Sequence, residues 1–164
     1  MEATAFPWIE TEAAREETVA LRNVFLHVTK ACNLRCDYCY FSASRPMPGE
    51  MTAAERWRLW PQLVTVGPQK VVFTGGEPLW REDISELLAG LRDADPEHYV
   101  RCCLNTNGHL VTAAAASALV GLADEVRVSI DALRERNGAH RWAGNFTAAL
   151  RSIASTRPGL SPRR

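Results

Sequence analysis

Short apolar runs, each halted by glycine, proline or asparagine, alternate along this chain with stretches of helical periodicity. Asn23-Val-Phe-Leu-His-Val-Thr29 is rich in branched and aromatic residues and reads as a first strand. Lys70-Val-Val-Phe-Thr74 is a second, stopped by Gly75-Gly76 in the manner of a buried parallel strand. His98 to Leu104 forms a third, ending at Asn105-Thr-Asn-Gly108, and Glu125-Val-Arg-Val-Ser-Ile130 a fourth. Between them, Thr52 opens a helical stretch to Leu63 with apolar Ala53, Trp57, Leu59 and Trp60, and Pro61 is expected to end or kink it. Asp83 caps a helix carrying Ile84, Leu87, Leu88 and Leu91 on one face, and Thr112 caps an alanine–leucine helix to about Ala123. A last helix covers Phe146 to Ala154, and Thr11 to Leu21 suits a short charged helix ahead of the first strand.

Strand–helix alternation at this spacing implies right-handed crossovers and a parallel sheet. Four such units are visible, whereas a closed eight-unit barrel takes about 250 residues. The expected fold is therefore α/β, a partial (β/α) barrel over residues 23–155, with an N-terminal extension over 1–22 and a polar tail over 156–164. Ligands of parallel α/β sheets gather at the carboxyl ends of the strands. A cysteine-rich loop, Gly75-Gly76, the Asn-Thr-Asn-Gly segment and Ser129/Asp131 all fall at those ends.

Composition narrows the classes. Among 164 residues, 19 lysines and arginines balance 19 aspartates and glutamates, so no net charge recruits nucleic acid or an anionic membrane. No apolar run approaches the roughly 20 residues of a membrane span, and the acidic start lacks the form of a secretory signal. A cytoplasmic, reducing setting is expected. The 5 cysteines, three clustered at Cys32, Cys36 and Cys39 and two adjacent at Cys102 and Cys103, do not form a disulfide framework. Neighbours on a strand face opposite ways, so Cys102 and Cys103 read as small core residues. Trp57 and Trp60 read as packing residues, and His27 as packed or solvent-facing.

Cys32-Asn-Leu-Arg-Cys36-Asp-Tyr-Cys39 has the spacing C-x-x-x-C-x-x-C. Thiolates suit iron–sulfur clusters and zinc. Structural zinc wants four ligands in a closed tetrahedron, which here would need His27 or a distant cysteine. A 4Fe–4S cube held by three cysteines keeps one iron open to a substrate or cofactor.

The stretch from Leu26 to Phe41, with its Cys-Asn-Leu start and Tyr-Cys-Tyr end, resembles the signature of the radical S-adenosylmethionine (radical SAM) superfamily. That resemblance implies a 4Fe–4S cluster on Cys32, Cys36 and Cys39, with S-adenosyl-L-methionine on the open iron and Tyr38 beside its adenine. Gly75-Gly76-Glu77-Pro78 is similar to the family's GGEP motif, which receives the methionine amino group; two glycines permit close backbone approach, and carbonyls with a carboxylate can accept from an ammonium. Asn107 resembles the family's third-strand ending, where a plain turn is the alternative. Ser129 and Asp131 resemble the fourth-strand ending, with Asp131 alternatively capping the chain that follows. Arg141 suits a carboxylate partner or a solvated surface position. Ala132 stands where relatives often carry glycine, and Asn137 replaces a frequent histidine.

The implied chemistry is reductive cleavage to methionine and a 5′-deoxyadenosyl radical that abstracts a substrate hydrogen, the protein supplying position and exclusion of water. The implied partners are a flavodoxin- or ferredoxin-like one-electron reductant, a substrate that the Tyr-Cys-Tyr-Phe flavour links to peptides or proteins, and a partner chain completing the barrel. The reading from another class is a truncated, non-catalytic iron–sulfur or zinc-binding protein.

Overall fold

The computed structural model describes residues 21–155. The expected charged helix before Leu21 and the polar tail lie outside those residues. Four strands, β1 (Asn23–Thr29), β2 (Lys70–Gly75), β3 (Arg101–Thr106) and β4 (Glu125–Val128), form one sheet in the order β1-β2-β3-β4. Every pairing is parallel. Helices α1 (Ala53–Val66), α2 (Ile84–Ala94) and α3 (Ala113–Leu119) connect them, and α4 (Arg134–His140) and α5 (Asn145–Ser155) follow β4. The architecture is the expected arc of a (β/α) barrel.

Alternation along the strands sorts side chains to two faces. Val28, Val71, Phe73, Cys102 and Leu104 enter the core shared with Trp60 and Leu63 of α1 and Leu87, Leu88 and Leu91 of α2. Trp60 meets Phe73 with ring centroids 5.7 Å apart. Each fully buried leucine there contributes about 2 kcal/mol by leaving water. Cys102 and Cys103 are both fully buried, as core residues should be. Trp57 is about half exposed, but its ring still packs on α2, where a Cβ added to Gly90 would come within 3.3 Å of it.

Local chemistry moves several boundaries. Pro61 does not stop α1, which continues to Val66 and ends at Gly67 in the left-handed conformation, φ 67°. Pro61 has no N–H to give the carbonyl four residues back, yet the helix runs on past it; Gln62 Nε2 donates to the Arg58 carbonyl at 3.0 Å, and Thr65 Oγ1 to the Pro61 carbonyl at 2.8 Å. Thr52 caps α1 in a reciprocal box with Glu55. Asp83 occupies the cap position of α2 without capping it, because its carboxylate pairs with Arg81. Thr112 does cap α3, accepting from Ala115 N at 3.1 Å, but that helix stops at Leu119 rather than near Ala123. β3 starts at Arg101 rather than His98, since His98 has φ 55° and cannot join a strand. α4 was not expected at all.

Candidate functional site

At its carboxyl end β1 slips register against β2 between His27 and Thr29, and the cysteine loop departs from there. The loop is pinned at both ends. Ser44 N donates to the Lys30 carbonyl at 2.9 Å and Cys32 N to the Ser44 carbonyl at 3.2 Å. Glu50 Oε1 accepts from Lys30 N at 2.7 Å and Met47 N at 2.8 Å. Inside it, Leu34 N lies 3.4 Å from Cys32 Sγ and Ala43 N 3.4 Å from Cys39 Sγ, so backbone donors already face two of the three sulfurs. Burial pushes the Cys32 and Cys36 thiols up from their ordinary values.

Gly75 and Gly76 dock on the start of this loop. Gly76 N donates to Thr29 O at 2.7 Å and Glu77 N to Ala31 O at 2.8 Å. A Cβ on Gly75 would sit 2.3 Å from Thr29 O, and one on Gly76 2.1 Å from Ala31 O. The close approach these glycines permit is therefore to the cysteine loop itself. Glu77 is fully buried. Its carboxylate accepts from Thr106 Oγ1 at 2.9 Å, Asn107 N at 2.7 Å and Leu79 N at 3.1 Å. It thus clamps the end of β2 to the end of β3. Burial holds its carboxyl up at about 7 against those bonds. Pro78 starts a short 3₁₀ turn, Pro78–Trp80, and is buried.

One cavity of about 240 Å³ collects the strand ends. Cys32, Cys36, Cys39, Tyr38, Gly75, Gly76, Asn107, Ser129 and Arg141 line it, together with Leu34, Tyr40, Ala43, Thr74, Asn105 and Thr106. Glu77, Pro78 and Asp131 do not. Asp131 instead organises the rim: it takes the Tyr38 hydroxyl and forms an ion pair with Arg141. Hydrogen bonding to the Arg141 guanidinium, more than that to Tyr38, holds Asp131 below the usual carboxylate range. The Arg141 guanidinium lies 5.6 Å from the centre of the Tyr38 ring. Asp131 pairs Nε and Nη2 of Arg141, which leaves Nη1 as the donor for another group. His27 is exposed and meets Phe41 with centroids 4.6 Å apart.

Four asparagines that sequence reading did not combine tie these parts together. Asn107 Nδ2 donates to Asn33 Oδ1 at 2.8 Å; Asn145 Nδ2 donates to the Asn107 carbonyl at 3.1 Å. Asn137 Nδ2 reaches Asn145 Oδ1 at 2.6 Å, and Asn137 Oδ1 accepts from Asp131 N at 2.8 Å. Asn137 and Asn145 are buried, so each unmade bond in this chain would be costly.

The donor set fits an iron–sulfur cluster: three soft sulfurs and a glycine backbone border one cavity. Among the described residues no three histidine, cysteine or acidic side chains are grouped so as to hold a metal ion, and no helix is long and apolar enough to cross a membrane.

Comparison with known proteins agrees with this geometry. The family model described as Radical SAM superfamily matches residues 26–156. The chain is 37% identical over 134 residues to the Fe-coproporphyrin III synthase of Methanosarcina barkeri, covering 79% of this chain and 32% of that protein. It is 36% identical over 145 residues to a probable GTP 3',8-cyclase of Methanopyrus kandleri, covering 87% and 46%. The chain thus spans less than half the length of these relatives, which are enzymes. Among solved structures, anSMEcpe with bound AdoMet superposes with a TM-score of 0.67 at 22% identity, over 84% of this chain and 40% of that one. Streptococcus suis SuiB bound to S-adenosylmethionine gives 0.63 at 22% identity, over 74% and 28%. At such identity these two show a shared fold. By the family match across nearly all described residues, this chain belongs to the radical SAM superfamily, whose cofactors are a 4Fe–4S cluster and S-adenosylmethionine.

Proposed function

We propose that this chain holds the 4Fe–4S cluster on Cys32, Cys36 and Cys39 and takes part in radical chemistry on a substrate bound inside the barrel. The observation that carries the reading is the convergence of those three thiols with Gly75, Gly76, Asn107 and Ser129 on one cavity. With both cofactors bound, one-electron cleavage of the sulfonium supplies methionine and a 5′-deoxyadenosyl radical for hydrogen abstraction.

The chain's own residues position and shield. Backbone carbonyls of the Gly75–Gly76 turn receive an ammonium group; Glu77 keeps that turn in place from beneath through Thr106 and Asn107. Arg141 offers Nη1 to a carboxylate while Asp131 fixes its other edge. Ser129 supplies a hydroxyl to the same cavity, and the Tyr38 ring, oriented by its bond to Asp131, would hold the adenine of bound S-adenosylmethionine. Buried Leu34 and Ala43 limit water on the loop side. A flavodoxin- or ferredoxin-like reductant delivers the electron in the cytoplasm, and a partner chain completes the barrel. A peptide or protein substrate is supported by the Tyr-Cys-Tyr-Phe sequence and by likeness to SuiB, which was also solved bound to precursor peptide SuiA.

The test is anaerobic reconstitution followed by reduction with dithionite in the presence of S-adenosylmethionine. Release of 5′-deoxyadenosine supports the reading. Cluster without release marks a non-catalytic iron–sulfur protein, and zinc without iron a structural zinc site; either result rejects it.

A further inference from the structure

Inner layers of (β/α) barrels are filled mainly by branched apolar residues. This chain departs from that rule on the concave face of its sheet. Register pairs Lys70 with Arg101, Cys103 with Glu125, and Asn105 with Arg127, and paired residues share a face. Asn105 lines the cavity that holds the three cysteine thiols, so Arg127 occupies the same inner wall beside it. Ser129, two residues further along, lines that cavity too, about 7 Å on at strand spacing.

The charges there do not cancel. Glu125 takes Lys70 Nζ at 2.7 Å and Arg127 Nε at 2.5 Å, with Arg101 Nη2 at 3.9 Å. Three cations face one carboxylate. The Lys70 side chain is only 16% exposed, whereas those of Arg127 and Arg101 are 48% and 60% exposed. Lys70 is thus the seated partner of Glu125, and the two guanidiniums keep open donors. All four charges act on the Cys103 thiol, which burial pushes up and which sits fully buried among them. They therefore converge on one point of the inner wall.

We propose that Arg127 and Arg101 bind an anionic group of the substrate, a carboxylate or a phosphate, with Lys70 and Glu125 as the fixed backing of the site. Guanidinium forks match both groups in a bidentate way. The position, below the cofactor cavity on the same wall, anchors one end of a substrate whose other end reaches the radical. This inference rests on the radical SAM reading for its placement, not for its chemistry.

The test is titration of the 164-residue chain, with succinate and with inorganic pyrophosphate, by calorimetry at fixed ionic strength. At least one anion binds the wild type, and the stronger of the two tells carboxylate from phosphate. Arg127→Gln and Arg101→Gln each weaken binding about tenfold, the loss of one charge-assisted contact. Arg58→Gln, on the exposed side of α1, leaves it unchanged at the same net charge. Glu125→Gln tightens binding by freeing Arg127; Arg127→Lys retains part of the affinity if Glu125→Gln does not fold. Absence of binding to wild type, or equal weakening by Arg58→Gln, overturns the site. Anion binding without 5′-deoxyadenosine release defeats only the proposed radical chemistry of this chain, and release without anion binding defeats only this inference.

Discussion

Asn107, at the end of the third strand, donates its side-chain amide to Asn33 inside the cysteine loop over 2.8 Å, and the two lie 74 positions apart in sequence. The same Asn107 amide nitrogen is 3.9 Å from Cys32 Sγ. The loop that presents the thiols is therefore held from across the sheet as well as by its own turns.

That hold continues through Asn145, which is fully buried and bonded to the Asn107 carbonyl and to Asn137. Asn145→Ala strands a buried carbonyl and a buried amide, at a cost of about 2 to 4 kcal/mol. Chemical denaturation of the purified variant measures it. A loss below about 0.5 kcal/mol, the usual scatter for surface changes, would show that the asparagine chain does not carry load.

Gly76→Ala brings a Cβ to 2.1 Å from the Ala31 carbonyl oxygen. Backbone must move, so the variant loses about 3 kcal/mol or more, and the start of the cysteine loop shifts with it. Gly49→Ala serves as the contrast. Gly49 has φ +78° but nothing within 4 Å of the added atom, so only backbone strain of about 1 kcal/mol remains. Thermal unfolding of the two variants side by side checks the difference.

Glu77 gives stability a pH dependence of known sign. Burial holds its carboxyl at about 7 in the fold, above the ordinary 4.5, so the folded chain binds its proton more tightly than the unfolded one. The contribution is complete below about pH 4.5 and is lost as pH rises through about 7, on the order of 3 kcal/mol in all. Asp131 and Asp124 are shifted the other way, so the informative quantity is the wild-type stability minus that of Glu77→Gln, measured from pH 5 to 8. That difference should fall across the interval; a flat difference would mean that Glu77 is ionised throughout.

Most of this arrangement was legible in the sequence because strands in a parallel sheet announce themselves locally. Val71 to Phe73 between a lysine and two glycines could hardly be anything else, and the cysteine spacing carries its own chemistry. The failures have physical reasons. Arg134 to His140 offers no apolar stripe and contains Gly138, so α4 left no periodic signal; its position is fixed by Asn137, which is bonded to Asp131, Ala132 and Asn145. The inward turn of the Glu77 carboxylate depends on Thr106 and Asn107, some 30 positions away. Pro61 misled because a missing N–H costs one helical bond without compelling the helix to stop, and the end is set instead by Gly67 in the left-handed conformation. The asparagine chain joins positions that follow three different strands, β1, β3 and β4, and become neighbours only once the sheet has formed.

The most direct measurement is iron content after anaerobic reconstitution of the wild type, Cys36→Ala and Cys102→Ala. Three thiols bordering one cavity predict about three to four irons per chain in the wild type and in Cys102→Ala, and loss of cluster in Cys36→Ala. Full iron in Cys36→Ala, or loss of iron in Cys102→Ala equal to that in Cys36→Ala, would contradict the assignment of Cys32, Cys36 and Cys39 as the ligands.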